Sequence, residues 1–576
     1  MAEDIYDPLT AYVEEFRDRF KAVAEDTFAE LAAEAQVDVT ANRKTCRQLY
    51  AAQAALAAVR TRIGRWTVWC VLLWVAVAVG AIATYANRQQ LTVWALIGAG
   101  MAVAATVIYL LMRVHPRLKR LKTERGRLTA TVKRHSDKAW QQMSPLNSLY
   151  DWDVLTRMMA KTVPRLEFDP YFTTQRLADL EKTYGWDGTF NAERSVIYSH
   201  SGLINGNPFV ICRTRKMEMG TKTYYGTKTI YWTRSERGLD GKYHTVHHSQ
   251  TLRASVTAPF PGYFEKTRLI YGNTAAPDLV FHRKQSGLAS KERSFSFKWK
   301  RRSLRRKARR LDSADFAMMT NEEFEVAFDT SDRNNNQQFA LLFTPLAQES
   351  MLKLLKDNAV GFGDDFDFDK EKMINTIVPG HLQELELDLD PAQYRHYDYD
   401  KAQADFHAIN ARYFRAIYFS MAPLLCIPMY QQIRPPHDIY GQHMQRHSAF
   451  WEHEALANFW GQDRFKHPDC VTDCILKTEK GKRAGDNQTI TVYAYGYRKE
   501  QRLTYVDKRG DDGNLHRVPV YWDEYLPVTG SGDIKLREDN GFDDTTATFR
   551  QRLEHINDVL GKSHCDVYRR HIASKL

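Results

Sequence analysis

The sequence lacks nearly everything that would announce chemistry. It holds seven cysteines, an odd number at irregular spacing: Cys46, Cys70, Cys212, Cys426, Cys470, Cys474 and Cys565. That pattern excludes a disulfide framework and points to a reducing compartment. Residues 1–60 are polar, Ala-rich and charged, with no basic n-region, apolar h-region and cleavage site in order. No secretory leader is expected from them. A phosphate-cradling loop is missing too. Gly561-Lys562-Ser563 matches only its end, and Ile556 stands where a glycine must let the backbone curl round phosphate. No Gly-x-Ser-x-Gly elbow occurs.

The metal patterns also fail. His443 and His447 are four apart, as on one helix face, but Met444 stands where a zinc-protease helix needs its glutamate base. His453-Glu454 has the glutamate, and Ala457 occupies the second histidine position. His467, Cys470 and Cys474 have usable spacing but no close fourth ligand, since His564 and Cys565 are distant. Asp365, Asp367 and Asp369 alternate with Phe366 and Phe368, and Lys370 and Thr376 break the calcium-loop pattern. A half-buried strand explains that run better. We therefore expect no catalytic residue, no cofactor and no metal. An enzyme of unrecognised type, using the histidines from His437 to His453, is the alternative.

Charge is absent from two stretches. Neither Trp66–Ala86 nor Leu91–Met112 holds a charged side chain. A bilayer core of about 30 Å needs about 20 helical residues, so each stretch can span one. Only Asn87, Arg88, Gln89 and Gln90 separate them, which makes residues 63–112 a tight antiparallel transmembrane hairpin. Trp66, Trp69, Trp74, Tyr85, Trp94 and Tyr109 supply the aromatics that gather at lipid–water boundaries. Ala76, Gly80 and Thr84 on the first helix, and Gly98 and Ala102 on the second, recur every four residues and would let the backbones approach.

What is abundant is positive charge. The chain of 576 residues carries 81 Lys+Arg against 70 Asp+Glu, a net +11, and much of that excess is local. Arg43, Lys44, Arg47, Arg60, Arg62 and Arg65 precede the hairpin, and Arg113, Arg117, Lys119, Arg120, Lys122, Arg125 and Arg127 follow it. The turn has only Arg88. The positive-inside rule then places both termini of an integral membrane protein in the cytoplasm. Residues 113–146 form a basic juxtamembrane helix explained by contact with anionic headgroups. Residues 1–62 form a helical segment. Its stripe of Val13, Phe16, Phe20, Val23, Ala24, Phe28 and Leu31 is expected to pack on the protein's own cytoplasmic part rather than on a partner helix.

Beyond residue 147 the expected fold class is α+β, with a largely antiparallel sheet. We divide it into an α+β domain at 147–395 and a C-terminal α+β region at 396–576. A helix over 150–163 presents Leu155, Met158, Met159 and Val163. Strand signals dominate Thr221–Arg234 and Tyr243–Val256, with turns at 238–241 and Pro259–Gly262. Asn321–Leu355 reads as strand, polar turn, then an amphipathic helix with Leu346, Met351, Leu352 and Leu355. Residues 362–377 read as a strand. Strands at Thr489–Tyr497 and Leu515–Trp522 and a helix over 545–560 close the chain. Phe297–Arg310 is the most basic stretch, with Lys298, Lys300, Arg301, Arg302, Arg305, Arg306, Lys307, Arg309 and Arg310 and no acid. It is either a solvated loop or an anionic-surface patch. As a patch it suits lipid better than nucleic acid, because a tethered protein already lies at a leaflet. Trp299 would insert at the headgroups.

Phe324-Glu325-x-x-Phe328, Asp332, Leu342-Phe343-Thr344-Pro345 and the helix and aromatic–acidic strand after them carry a resemblance. With the hairpin layout, they resemble an uncharacterised bacterial family of two-pass membrane proteins with a cytoplasmic domain of unknown function. Ile427–Gln432 and Trp451-Glu452-x-Glu454-x-Leu456-Ala457-Asn458 look like a mollicute and firmicute branch of it. The resemblance covers about 150 residues and the layout; it implies architecture and a bacterial source, and no activity. The expected function is a non-enzymatic interaction or scaffold protein at the inner membrane, with a protein partner or a second copy of itself. Binding of anionic lipid, or of nucleic acid, through the basic patch is a further alternative.

Overall fold

The computed structural model describes residues 5–86, 92–237, 242–309, 316–433, 447–484, 487–538, 550, 551, 554, 555, 558 and 566–576. The side chains of Thr84, Ala95, Leu96, 482–484 and 487 lie outside that description. The fold is α+β, with two long apolar helices and two antiparallel sheets. The chain divides into two compact units. One contains 1–25, 151–390 and 409–576; the other contains 26–150 and 391–408.

In the smaller unit, helix Val39–Ala86 runs for 48 residues, about 72 Å at the standard rise. A second helical run covers 93–147 and contains a π-helical turn at Leu110–Val114. Pro116 follows that turn and has no N–H to return to the Met112 carbonyl, which gives the irregularity its cause. Both runs are long and apolar enough to cross a membrane. The most apolar stretch of the first is not covered by protein at all, and that of the second barely. A buried core hairpin would be covered. The basic helix over 113–146 lies inside the second run. Phe28, from the expected N-terminal stripe, is buried here against Phe406 and Tyr399, at centroid distances of 5.4 and 5.5 Å.

In the larger unit, Phe16 and Phe20 of that stripe pack on the protein's own chain, joined by Tyr12 from outside it. Tyr12 and Phe16 rest on Tyr418, and Phe20 stacks on Phe414. The first sheet has strands β1 (Leu166–Phe168), β2 (Arg194–Ile204), β3 (Asn207–Arg237), β4 (Tyr243–Gly272), β5 (Val280–Arg283), β6 (Phe366–Glu371) and β7 (Ile374–Pro379). Their order is β1-β2-β3-β4-β7-β6-β5. The second has β8 (Ile475–Ala484), β9 (Asn487–Arg509), β10 (Leu515–Glu538), β11 (Val567–Arg569) and β12 (Ile572–Lys575), in the order β11-β12-β10-β9-β8. Helix Phe450–Trp460 serves two cores. Its Trp451 and Ala455, four apart, join Phe172, Trp186 and Val210. Its Leu456 and Ala457 join Leu476, Ile490 and Ile534 on the second sheet.

Two hairpins are far longer than the sheets they belong to. β3 and β4 pair without a break from Phe209↔Tyr271 to Arg237↔Tyr243, about 100 Å of ribbon at the usual strand rise. β2 covers β3 only as far as Lys216, and β7 covers β4 only from Leu269. Beyond those points the two strands continue alone. The β9–β10 hairpin packs on them through Ile230, Leu252, Ala254, Val518 and Val520. The approach is tight at Gly226, where an added Cβ would lie 2.0 Å from the Pro519 carbonyl oxygen.

Three expectations are corrected. Pro259–Gly262 is not a turn: it lies inside β4, with Pro259 opposite Thr221 and Pro261 opposite Met219. Prolines two apart lack their N–H on the same side, and among the described residues the outer edge of β4 pairs with no strand there, so no ladder bond is lost. Glu322–Phe328 is an α-helix, not a strand. Phe324, Val326 and Phe328 mimic a strand's alternation, but Glu325 and Ala327 between them are equally buried. Asn321 caps the helix by accepting from the Phe324 N–H. The single strand expected over 362–377 is the hairpin β6–β7. In helix Pro345–Lys356, Met351, Leu352 and Leu355 are buried as expected and Leu346 is exposed. The turn at 238–241 and most of the helix expected over 545–560 lie outside the described residues.

Candidate interaction surfaces

The histidine cluster is only partly within the description: His437 and His443 lie outside the described residues. His447 lies 3.5 Å from Glu538, and His453 Nε2 lies 2.8 Å from the Ser448 hydroxyl. Ser448 also donates to the Glu538 carboxylate. A hydroxyl has one proton, and the carboxylate takes it, so His453 is left as the donor to Ser448. That polarity is the reverse of a nucleophilic serine's. Burial, then Lys480, drives His453 down to about 3, so its ring is neutral. Ser448 and His453 are both closed to solvent.

A second buried cluster docks the turn between β11 and β12. Glu452 lies between Arg569 at 3.6 Å and Arg570 at 3.4 Å, and accepts from the Phe172 N–H and the Ser199 hydroxyl. Arg569 pairs with Asp388, and His571 with Asp153 at 2.8 Å. Burial raises Asp153, but His571 and Arg157 outweigh it and hold the carboxyl well below its usual range. Each acid here faces a basic side chain, and the cluster anchors the last strands. Among the described residues no group of three or more His, Cys, Asp or Glu is placed to hold a metal. Cys470 and Cys474 are free thiols with Sγ atoms 3.6 Å apart. Burial, then Cys470, pushes Cys474 up to about 12. Asp365, Asp367 and Asp369 are half-buried around β6, with Phe366 and Phe368 inside.

On the apolar hairpin, the structure brings Gly80 toward Val103, whose Cγ2 would touch an added Cβ at 3.7 Å. Gly98 has open space around it, and Ala76 and Ala102 are exposed. The second helix turns Ala99, Val103, Thr106 and Val107 inward instead. Its small-residue stripe is thus one residue out of phase with the contact. Thr84 lies outside the described side chains.

The basic stretch is a helix, Phe295–Ala308, capped by Ser294. Phe297 and Leu304, seven apart, are its buried anchors, packed with Phe316 and Val326. Three cations are held by the protein: Lys300 on Asp329 and Arg305 on Glu322, each at 2.6 Å, and Lys307 on the Ser331 carbonyl. Arg301 is half-buried. Lys298, Arg302, Arg306 and Arg309 are exposed, and Arg310 lies outside the described residues. Spacings of three and four put the exposed cations on one face with Phe295 and Trp299, which are 79 % and 62 % exposed. Phe295 lies two residues before the stretch that begins at Phe297, and its spacing of four from Trp299 joins it to the same face.

The lone β3–β4 ribbon presents the other surface. Its inner side faces the β9–β10 hairpin. Its free side reads Thr221, Thr223, Tyr225, Thr227, Thr229, Tyr231 and Thr233 on one strand, opposite Pro259, Thr257, Ser255, Arg253, Thr251, Ser249 and His247. The Thr223–Thr257 and Thr229–Thr251 hydroxyls bond across the strands, at 3.2 and 3.1 Å. Tyr225 and Tyr231 stand 77 % and 80 % exposed. Period-two alternation puts these residues together, and only the tertiary structure leaves that side uncovered. No family model matches the chain, and neither does any curated protein or solved structure.

Proposed function

We propose that this chain is a membrane-anchored, non-enzymatic interaction protein. Its hairpin at 63–112 lies in the cell membrane and both termini lie in the cytoplasm. The β3–β4 ribbon is its docking element. The observation that carries this reading is the free ribbon side, where hydroxyls surround two exposed tyrosines. Tyrosine gives a large, rigid contact at low entropic cost, and serine and threonine give adaptable hydrogen bonding. The ribbon's open edges add main-chain donors and acceptors for an incoming strand. The resemblance to an uncharacterised two-pass bacterial family fits the same layout.

The test is purification from native membranes in mild detergent, with mass spectrometry of what accompanies the chain. A stoichiometric protein partner, or a second copy, is expected. Tyr225→Ala with Tyr231→Ala should release it, because aromatic anchors of this kind are worth about 2 kcal/mol or more each. A chain that purifies alone, or a partner held equally by the double variant, would end the proposal.

Helix Phe295–Ala308 favours a second surface, for anionic lipid. Aromatics at one end of a basic face suit a headgroup boundary.

A further inference from the structure

A groove of about 420 Å³ opens between helix Val39–Ala86 and the π-helical turn Leu110–Val114. That volume lies in the range of small-molecule sites, about 300–1,000 Å³. Arg65, Trp66, Trp69 and Leu73 line it from one helix face, and Tyr109 and Val114 from the other side. The π-helical turn puts Tyr109 and Val114, five apart, on the same wall. Turns of this kind occur often at functional sites. The Arg117 guanidinium lies over the Trp66 ring, 5.2 Å from its centroid, beside the groove.

The position of the groove decides its chemistry. It lies where both charge-free stretches end, at Trp66 and at Met112. One end is therefore basic and the other apolar. The chain has no acidic residue between Asp38 and Glu124, so the helical stretches on either side of the groove contain no carboxylate of their own. A ligand that fits must be anionic at one end and hydrocarbon at the other.

We propose that this groove binds one anionic phospholipid, its phosphate between Arg65 and Arg117 and its acyl chain along Trp69 and Leu73. The proposal rests on the hairpin lying in a membrane. Basic pockets between membrane helices suit such headgroups. The aromatic rings suit the boundary between headgroup and chain.

The test uses the full chain in mild detergent micelles doped with dioleoylphosphatidylglycerol or with dioleoylphosphatidylcholine, with retained lipid read by native mass spectrometry. One retained phosphatidylglycerol is expected, in preference to phosphatidylcholine and without competition from inorganic phosphate. R65Q/R117Q should weaken retention on the order of ten-fold. Leu73→Trp, which fills the groove and keeps both arginines, should weaken it too, and Arg127→Gln should not. Equal retention by both groove variants, or displacement by inorganic phosphate, would overturn the site. Alkaline washing of native membranes separates the two readings. A chain that washes off refutes the membrane anchor and this site with it; one that stays but shows no lipid preference refutes the site alone.

Discussion

The rings of Phe20 and Phe414 stack 4.1 Å apart and within 6° of parallel, 394 positions apart in the chain. Phe20 and Phe414 are both buried. This pair ties the N-terminal helix to a helix formed after the whole first sheet. Phe20→Ala is expected to cost about 3–5 kcal/mol, the usual range for a buried phenylalanine. Urea unfolding followed by circular dichroism checks it. A loss below about 1 kcal/mol would mean that the helix is a dispensable cover.

Glu325 and Arg333 form a buried ion pair at 2.6 Å, with the guanidinium 4.1 Å from the Phe339 ring. Glu325 also accepts from the Met319 N–H. Glu325→Ala strands the arginine and is expected to cost about 3–5 kcal/mol. E325L/R333M removes both charges and should cost less than the single change. A double variant worse than Glu325→Ala would show that the pair contributes net stability.

His200 and His453 are neutral in the fold. Burial, then Arg570, drives His200 to about 3; burial, then Lys480, does the same to His453. In the unfolded chain each titrates near 6.5. Below that pH the unfolded chain takes up protons that the fold refuses. Stability should therefore fall as pH drops from about 6.5 toward 3, by up to about 1.4 kcal/mol per pH unit for each histidine. His453→Gln should flatten the slope measured between pH 5 and 7. An unchanged slope would mean that His453 is charged in the fold.

In proteoliposomes, helix Phe295–Ala308 should be protected from trypsin by phosphatidylglycerol and not by phosphatidylcholine. Each exposed cation near an anionic surface is worth about 1 kcal/mol. Protection should fall with added salt and with Phe295→Ser/Trp299→Ser. Equal cleavage in both lipids would leave the face without a lipid role.

The aromatic residues of the resemblance motif lie in the core. Phe324 and Phe328 stack at 5.0 Å, and Phe343 lies 4.9 Å from Phe328. Asp332 holds the His282 ring at 3.0 Å, and Thr344 caps the next helix. Such residues hold a fold together through packing and capping. That is why they pointed to an architecture and to no reaction.

Local chemistry was enough for several features. The length of the charge-free runs 66–86 and 91–112 already marked two long apolar helices, since about 20 apolar residues suffice for a helix that spans a bilayer core. β-Branched and aromatic residues marked β3 and β4, and spacing by three and four marked the N-terminal stripe. What packs on what was decided only in three dimensions. Glu325 reads as an exposed residue until Arg333 neutralises it. Pro259 and Pro261 read as a turn until, among the described residues, the outer edge of β4 is left without a paired strand. The second hairpin helix turned Val103 inward rather than Gly98, because the phase of a contact depends on the partner helix and not on the stripe alone. The free side of the ribbon has the same origin: alternation sorted its residues into two faces, and the arrival of the β9–β10 hairpin on one of them chose which would remain open.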